Sequence, residues 1–83
     1  MNRIKVLLFA TLRERAGGVK FIEINLPERA TVGMLKEQIS REYPALAPST
    51  KSVLVTINRE YAFNETSLPE GAEVAMFPPV SGG

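Results

Sequence analysis

Three features of this sequence predict an α+β fold in which one main helix packs on a small mixed β-sheet. Short segments of β-branched and apolar residues occur on both sides of a single amphipathic helical pattern. Turn-forming residues separate these segments. The length of 83 residues allows one modest core, because a chain this short buries only about 60–65% of the surface that its unfolded form exposes. We therefore expect one domain over residues 1–77, followed by an extended tail over residues 78–83.

The N-terminal part of the chain predicts a strand, a helical turn and a second strand. Residues 4–9 are apolar with a single charge, as in a strand covered on one face and partly covered on the other. Residues 10–16 favour a helical turn, which two glycines then stop. The clearest strand is Phe21–Leu26, because isoleucine and leucine alternate there with polar residues.

The segment after the second strand predicts the main helix. Thr31 stands where the N-cap of a helix is expected. Four apolar residues, three or four positions apart, give this helix one apolar face: Val32, Leu35, Ile39 and Tyr43. Pro44 ends the helix. We interpret residues 45–52 as a loop in which Leu46 packs back under the helix.

Three more strands are predicted in the second half of the chain. They comprise residues 53–58, a short strand entered through a turn at residues 58–61, and residues 73–77 after a turn at residues 68–71. The resulting order of strand, strand, helix, strand, short strand and strand matches the ubiquitin-like β-grasp fold. In that topology the first and last strands are parallel neighbours at the centre of the sheet.

Composition excludes several classes of function. The ten Lys and Arg residues and the nine Asp and Glu residues are interspersed, so no basic face for nucleic acid is predicted. The chain has no His, Cys or Trp, which removes the commonest general base, the strongest nucleophile and the usual zinc ligands. We expect no metal site and no disulfide. No membrane span or signal peptide is recognisable, which predicts a soluble, cytoplasmic protein without membrane contact.

The last six residues have the composition of a tail on which other proteins act. Two prolines fix φ and donate no backbone hydrogen bond, so they end the last strand and form a stiff neck. Two terminal glycines lack Cβ atoms and make a thin tip. We predict that Gly83 presents its carboxylate to partner active sites, which the rest of the tail also enters: Pro78, Pro79, Val80, Ser81 and Gly82. The alternative is an inert, solvated end.

A docking surface is predicted beside this tail. If one face of the central strands packs on the helix, alternation sends four apolar residues to the other face: Leu7, Phe9, Ala75 and Phe77. An apolar patch of this kind marks a partner-binding site. The alternative is that residues 10–16 or the loops fold over it. We interpret the charged residues Arg13, Glu14 and Arg15 as a solvated face with weak ion pairs.

Nearly the whole chain resembles a known family, the small subunits of molybdopterin synthase. The resemblance is carried by residues 68–83 (LPEGAEVAMFPPVSGG), residues 8–17 (LFATLRERAG) and residues 55–58 (VTIN). In that family a turn leads into a strand and then into Pro-Pro-Val-x-Gly-Gly. Ala72 departs from the pattern, because many members have an acidic residue there.

The resemblance implies a sulfur carrier that is itself a non-catalytic subunit and binds no cofactor. An activating enzyme uses ATP to adenylate the carboxylate of Gly83, and a sulfurtransferase supplies the sulfur for a thiocarboxylate. The tail then enters the large subunit of the synthase, where the sulfur is transferred to the pterin precursor. Three alternatives remain: a sulfur carrier for the thiazole of thiamine, a protein modifier joined to lysines through Gly83, and an interaction domain with an inert tail.

Overall fold

The computed structural model describes residues 2–79 of the chain, and this part contains five strands and two α-helices. The chain also forms one 3₁₀ helix. In chain order the elements are β1 (Asn2–Leu8), α1 (Thr11–Arg15), β2 (Phe21–Leu26), α2 (Val32–Glu42), the 3₁₀ helix (Pro44–Ser49), β3 (Leu54–Ile57), β4 (Glu60–Ala62) and β5 (Val74–Phe77).

The strands form one mixed sheet in the order β2-β1-β5-β3-β4. The central strands β1 and β5 run parallel, and every other neighbouring pair is antiparallel. This confirms the predicted β-grasp topology, including the parallel pairing of the first and last strands. Consequently the end of β1 lies next to the end of β5, from which the tail leaves.

One face of the sheet, here called the inner face, packs on α2. The opposite face is called the outer face. Alternate residues of every long strand point to this face and are buried. The strand residues that are at most 5% exposed are Ile4, Val6, Leu8, Ile22, Ile24, Leu26, Val55, Val74 and Met76. From α2, Val32, Leu35 and Ile39 are fully buried against them. The predicted helix stripe is confirmed, with Tyr43 only partly buried at its end.

The start of α2 is fixed by contacts that occupy all the backbone N–H groups of its first turn. The Thr31 hydroxyl accepts a hydrogen bond of 3.3 Å from the Met34 backbone, so the predicted N-cap is confirmed. The N–H groups of Val32 and Gly33 donate to the carbonyls of Thr66 and Asn64, each at 2.9 Å. The Leu35 N–H donates to the Thr31 carbonyl at 3.0 Å. Loop 63–67 therefore holds the helix start in place.

The segment after α2 is more regular than predicted. Residues 45–52 were expected to be a loop, but Pro44–Ser49 forms a 3₁₀ helix. A proline fits the first helical position because its φ is already helical and its missing N–H would have no partner there. Leu46 is fully buried, which confirms its packing under α2. Within residues 2–79, no helix is long and apolar enough to cross a bilayer.

Candidate functional site

The predicted tail begins where the sheet ends. Strand β5 stops at Phe77, Pro78 is half-buried and Pro79 is exposed. Neither proline can extend the sheet, because neither has a backbone N–H to donate. The remaining predicted tail residues, Val80, Ser81, Gly82 and Gly83, lie outside the described residues. Their roles stay predictions.

Beside the start of the tail, two aromatic rings stack on the outer face of the sheet. The rings of Phe9 and Phe77 have centroids 4.6 Å apart and planes inclined by 9°. Phe9 follows β1 directly and Phe77 ends β5, so the parallel pairing of these strands brings the rings together. Both side chains stay partly exposed. The stack is a rigid apolar surface next to Pro78.

A short turn after β1 positions Phe9. Its carbonyl accepts a hydrogen bond from the Leu12 N–H at 3.2 Å, and Leu12 is buried in the core. Between them, Ala10 has φ 54° and ψ −129°, a conformation that residues with a side chain rarely adopt. The surrounding contacts hold Ala10 in this strained conformation, and the chain turns sharply after Phe9.

Arg13 contacts the ring of Phe9. The sequence did not predict this contact. The Nε of Arg13 donates to the Leu8 carbonyl at 3.2 Å, and its guanidinium carbon lies 5.8 Å from the centroid of Phe9. The guanidinium is thus tied to the end of β1 and faces an aromatic ring. The prediction that Arg13 belongs to a solvated face is wrong, because the turn at Ala10 brings α1 back against the strand end.

All four residues predicted for docking line one groove of about 560 Å³: Leu7, Phe9, Ala75 and Phe77. Ala75 is only 7% exposed, because it is small and lies between larger neighbours on the central strands. Leu7, Phe9 and Phe77 remain half-buried. Of residues 10–16, Ala10 lines the groove and Arg13 lies over the Phe9 ring, whereas Leu12 is buried in the core. These residues therefore border the groove and leave it open.

The groove is part of a row of outer-face side chains that crosses the whole sheet. Direct cross-strand partners connect Phe21 to Leu7, Leu7 to Ala75, Ala75 to Thr56, and Thr56 to Tyr61. Tyr61 lines the groove and is 74% exposed, whereas Phe21 lies at the other edge and is 42% exposed. Sequence reasoning missed both residues, since it did not establish which residue of one strand lies opposite which residue of the next.

Among the described residues, 2–79, there is no cluster of three or more acidic side chains that could hold a metal ion. Burial lowers the pKa of Lys36 below its usual value, but Lys36 lies on α2, away from the groove. With neither His nor Cys in the sequence, the site can offer apolar contact and a nearby tail.

Comparison with known proteins identifies relatives over the full length. Residues 6–83 match the sequence model of the ThiS family. The molybdopterin synthase sulfur carrier subunit of Chlamydomonas reinhardtii is 40% identical, with 98% of this chain and 99% of that relative aligned. Its counterpart in Escherichia coli K12 is 35% identical over 96% and 99% of the two chains. Among solved structures, SAMP1 of Haloferax volcanii superimposes with a TM-score of 0.82 at 30% identity, over 99% of this chain and 100% of that one.

Proposed function

This chain belongs to the ThiS family, and on that basis we propose that it is the sulfur carrier subunit of a molybdopterin synthase. Full-length relatives with that name, at 35–40% identity, support the proposal. One observation on this chain carries it: the stacked Phe9 and Phe77 form a partly exposed apolar surface at the point where the tail begins. A partner that docks there is placed to receive the tail.

The proposed chemistry takes place at Gly83 and is performed by partners. An adenylating enzyme joins the Gly83 carboxylate to the α-phosphate of ATP, with release of pyrophosphate. A sulfurtransferase then provides sulfur at the oxidation level of sulfide, which attacks the acyl carbon, displaces AMP and leaves a thiocarboxylate. In the large subunit this sulfur passes to the pterin precursor. The chain itself binds no cofactor in this scheme, because ATP is held by the adenylating enzyme.

The groove on the outer face provides the affinity in this proposal. Apolar surface that is partly exposed in the free chain is removed from water in a complex, which favours association. Aromatic residues in well-packed pockets supply most of the binding energy of typical interfaces. We assign these roles to Phe9, Phe77 and Tyr61, with Leu7 and Ala75 as the floor of the groove.

The test is reconstitution with the adenylating enzyme, ATP, a sulfur donor, the large subunit and the pterin precursor. Deleting Gly83 shortens the tail by about 3.5 Å. Because reacting atoms must approach to about 3–3.5 Å in a defined direction, product formation should be lost. One glycine added after Gly83 should also abolish it, by converting the reactive carboxyl into an amide.

The matched control is one glycine added before Met1, which lengthens the chain equally and should leave the rate unchanged. All three variants should retain the melting temperature of the parent chain, since the core described above is built from residues between Ile4 and Met76. Normal product formation by the shortened or the extended tail would contradict the carrier function.

A second candidate function is protein modification through Gly83. The observation that favours it is the similarity to SAMP1 of Haloferax volcanii, a protein also described as small archaeal modifier protein 1. Modification would join the activated carboxyl to a lysine amine of a target. Denaturing gels would then show a ladder of covalent conjugates that disappears on deletion of Gly83. A sulfur carrier for the thiazole of thiamine would differ from the proposed carrier in the molecule that accepts its sulfur, which would not be the pterin precursor.

A further inference from the structure

A second groove, of about 480 Å³, lies in the helical layer of the domain. Its walls come from α2, from the residues after the 3₁₀ helix and from the loop after β4: Gly33, Lys36, Glu37, Ser40, Arg41, Thr50, Lys51 and Asn64. None of these residues lines the outer-face groove. A ligand in this groove therefore leaves the outer face and the start of the tail accessible.

Positive charge predominates in this helix groove. Lys36, Arg41 and Lys51 face one carboxylate, that of Glu37, although the whole chain has a net charge of only +1. The Lys36 amine donates to the amide oxygen of Asn64 at 2.9 Å, a neutral acceptor. Burial lowers its pKa, because desolvation disfavours the ammonium form. An incoming negative charge would offset this desolvation.

Hydrogen bonds hold the groove in shape. The hydroxyls of Ser40 and Thr50 lie 2.9 Å apart, and Thr50 is 5% exposed. Thr50 also donates to the Ala47 carbonyl at 2.9 Å. These contacts join α2 to the residues after the 3₁₀ helix, so Lys51 is presented beside Lys36 and Arg41.

The geometry favours several separated carboxylates over one phosphate group. A phosphate site commonly uses free backbone N–H groups at a helix N-terminus. At the start of α2 those groups already donate to Thr66, Asn64 and Thr31. Only side-chain charges remain, and they are distributed over two segments of the chain. An extended peptide can place one carboxylate near each of them.

We propose that this groove binds an acidic segment of a partner protein, whose carboxylates pair with Lys36, Arg41 and Lys51. The site is separate from Pro78 and Pro79, where the tail begins, and from the outer-face groove. The carrier can thus be held by one partner segment while its tail is engaged elsewhere. The proposal does not depend on which chemistry Gly83 undergoes.

The probe is a synthetic peptide in which glutamate and glycine alternate, titrated into the isotope-labelled full chain. We expect amide shifts confined to residues 33–41, 50–51 and 64. Each lost surface charge pair should weaken binding by up to about fivefold, so the double variant K36Q/K51Q should bind up to about 25-fold more weakly. Raising the salt from about 0.01 M to about 0.15 M should also weaken binding. The Lys36 pKa should rise on binding, since a nearby negative charge favours the ammonium form.

Two controls separate this charge pairing from general attraction. Lys20→Gln removes the same charge from an exposed position outside the groove and should leave the affinity within about twofold. A peptide with glutamine in place of glutamate should not bind. The proposal is overturned if the shifts lie elsewhere, if K36Q/K51Q binds like the parent chain, or if inorganic phosphate occupies the groove more tightly than the peptide.

Discussion

The two faces of the sheet use the same strands for different purposes. Leu8 points inward and is fully buried, whereas its neighbour Leu7 points outward and is half-buried. Met76 and Phe77 differ in the same way on β5. The inner face is closed by α2, while the outer face keeps an apolar groove of about 560 Å³ beside the tail. Side-chain alternation thus separates the residues that stabilise the fold from those available to a partner.

The apolar character of the outer face is local. Away from the groove, Arg3, Lys5, Glu23 and Asn25 are exposed on the same face. The Lys5 amine lies 4.2 Å from the centroid of Phe21, so even the exposed aromatic at the β2 edge is partly shielded by a cation. The apolar side chains that line the groove from β1 and β5 lie near the ends of these two strands: Leu7, Phe9, Ala75 and Phe77. Their position points to contact near the tail.

Two leucines on β1 provide the sharpest test of the difference between the inner and outer faces. They also give the largest expected change in stability. Leu8→Ala should lower the free energy of unfolding by about 2–5 kcal/mol, because it leaves a cavity in the core. Leu7→Ala makes the same chemical change on the outer face and should cost about 1 kcal/mol or less. Urea denaturation of both variants measures this. Equal losses would show that the two faces are not energetically distinct.

The next largest effect is on partner binding, and it compares two phenylalanines, one inside the groove and one outside it. Phe77→Asp should weaken association with the proposed partner, the synthase large subunit, by about 2–3 kcal/mol, because a charge in an apolar interface loses its hydration without a partner. Phe63→Asp makes the same change at a residue that is 73% exposed and outside the groove, and should have little effect. Calorimetric titration compares them. A similar loss for both would place the interface elsewhere.

Sequence reasoning was most accurate where one physical rule decided the structure. Strict alternation gave β2 its observed limits, Phe21–Leu26, and the apolar stripe with Thr31 before it located α2 to within one residue. Alternation also assigned Leu7 and Phe77 to the outer face. In each case the local pattern and the tertiary environment agree, as expected of a sequence that folds to one structure.

It was least accurate where the backbone follows an unusual local path. Nothing in the sequence indicates that Ala10 adopts a positive φ, which turns Arg13 onto the ring of Phe9. The 3₁₀ helix at Pro44–Ser49 was missed because its two prolines also suit a loop. Tyr61 and Phe21 required the strand register, which sequence patterns alone did not provide.

The smallest expected effect is at the turn that positions Phe9. Ala10→Gly should raise the free energy of unfolding by about 0.5–1 kcal/mol, because strain of about 1–3 kcal/mol is relieved and part of the gain is lost to backbone entropy. Binding to the large subunit should change little, since Phe9 keeps its position. A loss of stability would mean that Ala10 is not strained.

Intact-mass measurement of the native chain after incubation with the adenylating enzyme, ATP and a sulfur donor tests the carrier function most directly. A sulfur carrier should show replacement of one oxygen by sulfur, located by fragmentation at Gly83, and the chain lacking Gly83 should show no such change. The sulfur carrier subunit of Escherichia coli, treated in parallel, shows that the reaction mixture is active. An unchanged mass for this chain, when the Escherichia coli protein is converted, would contradict the carrier function.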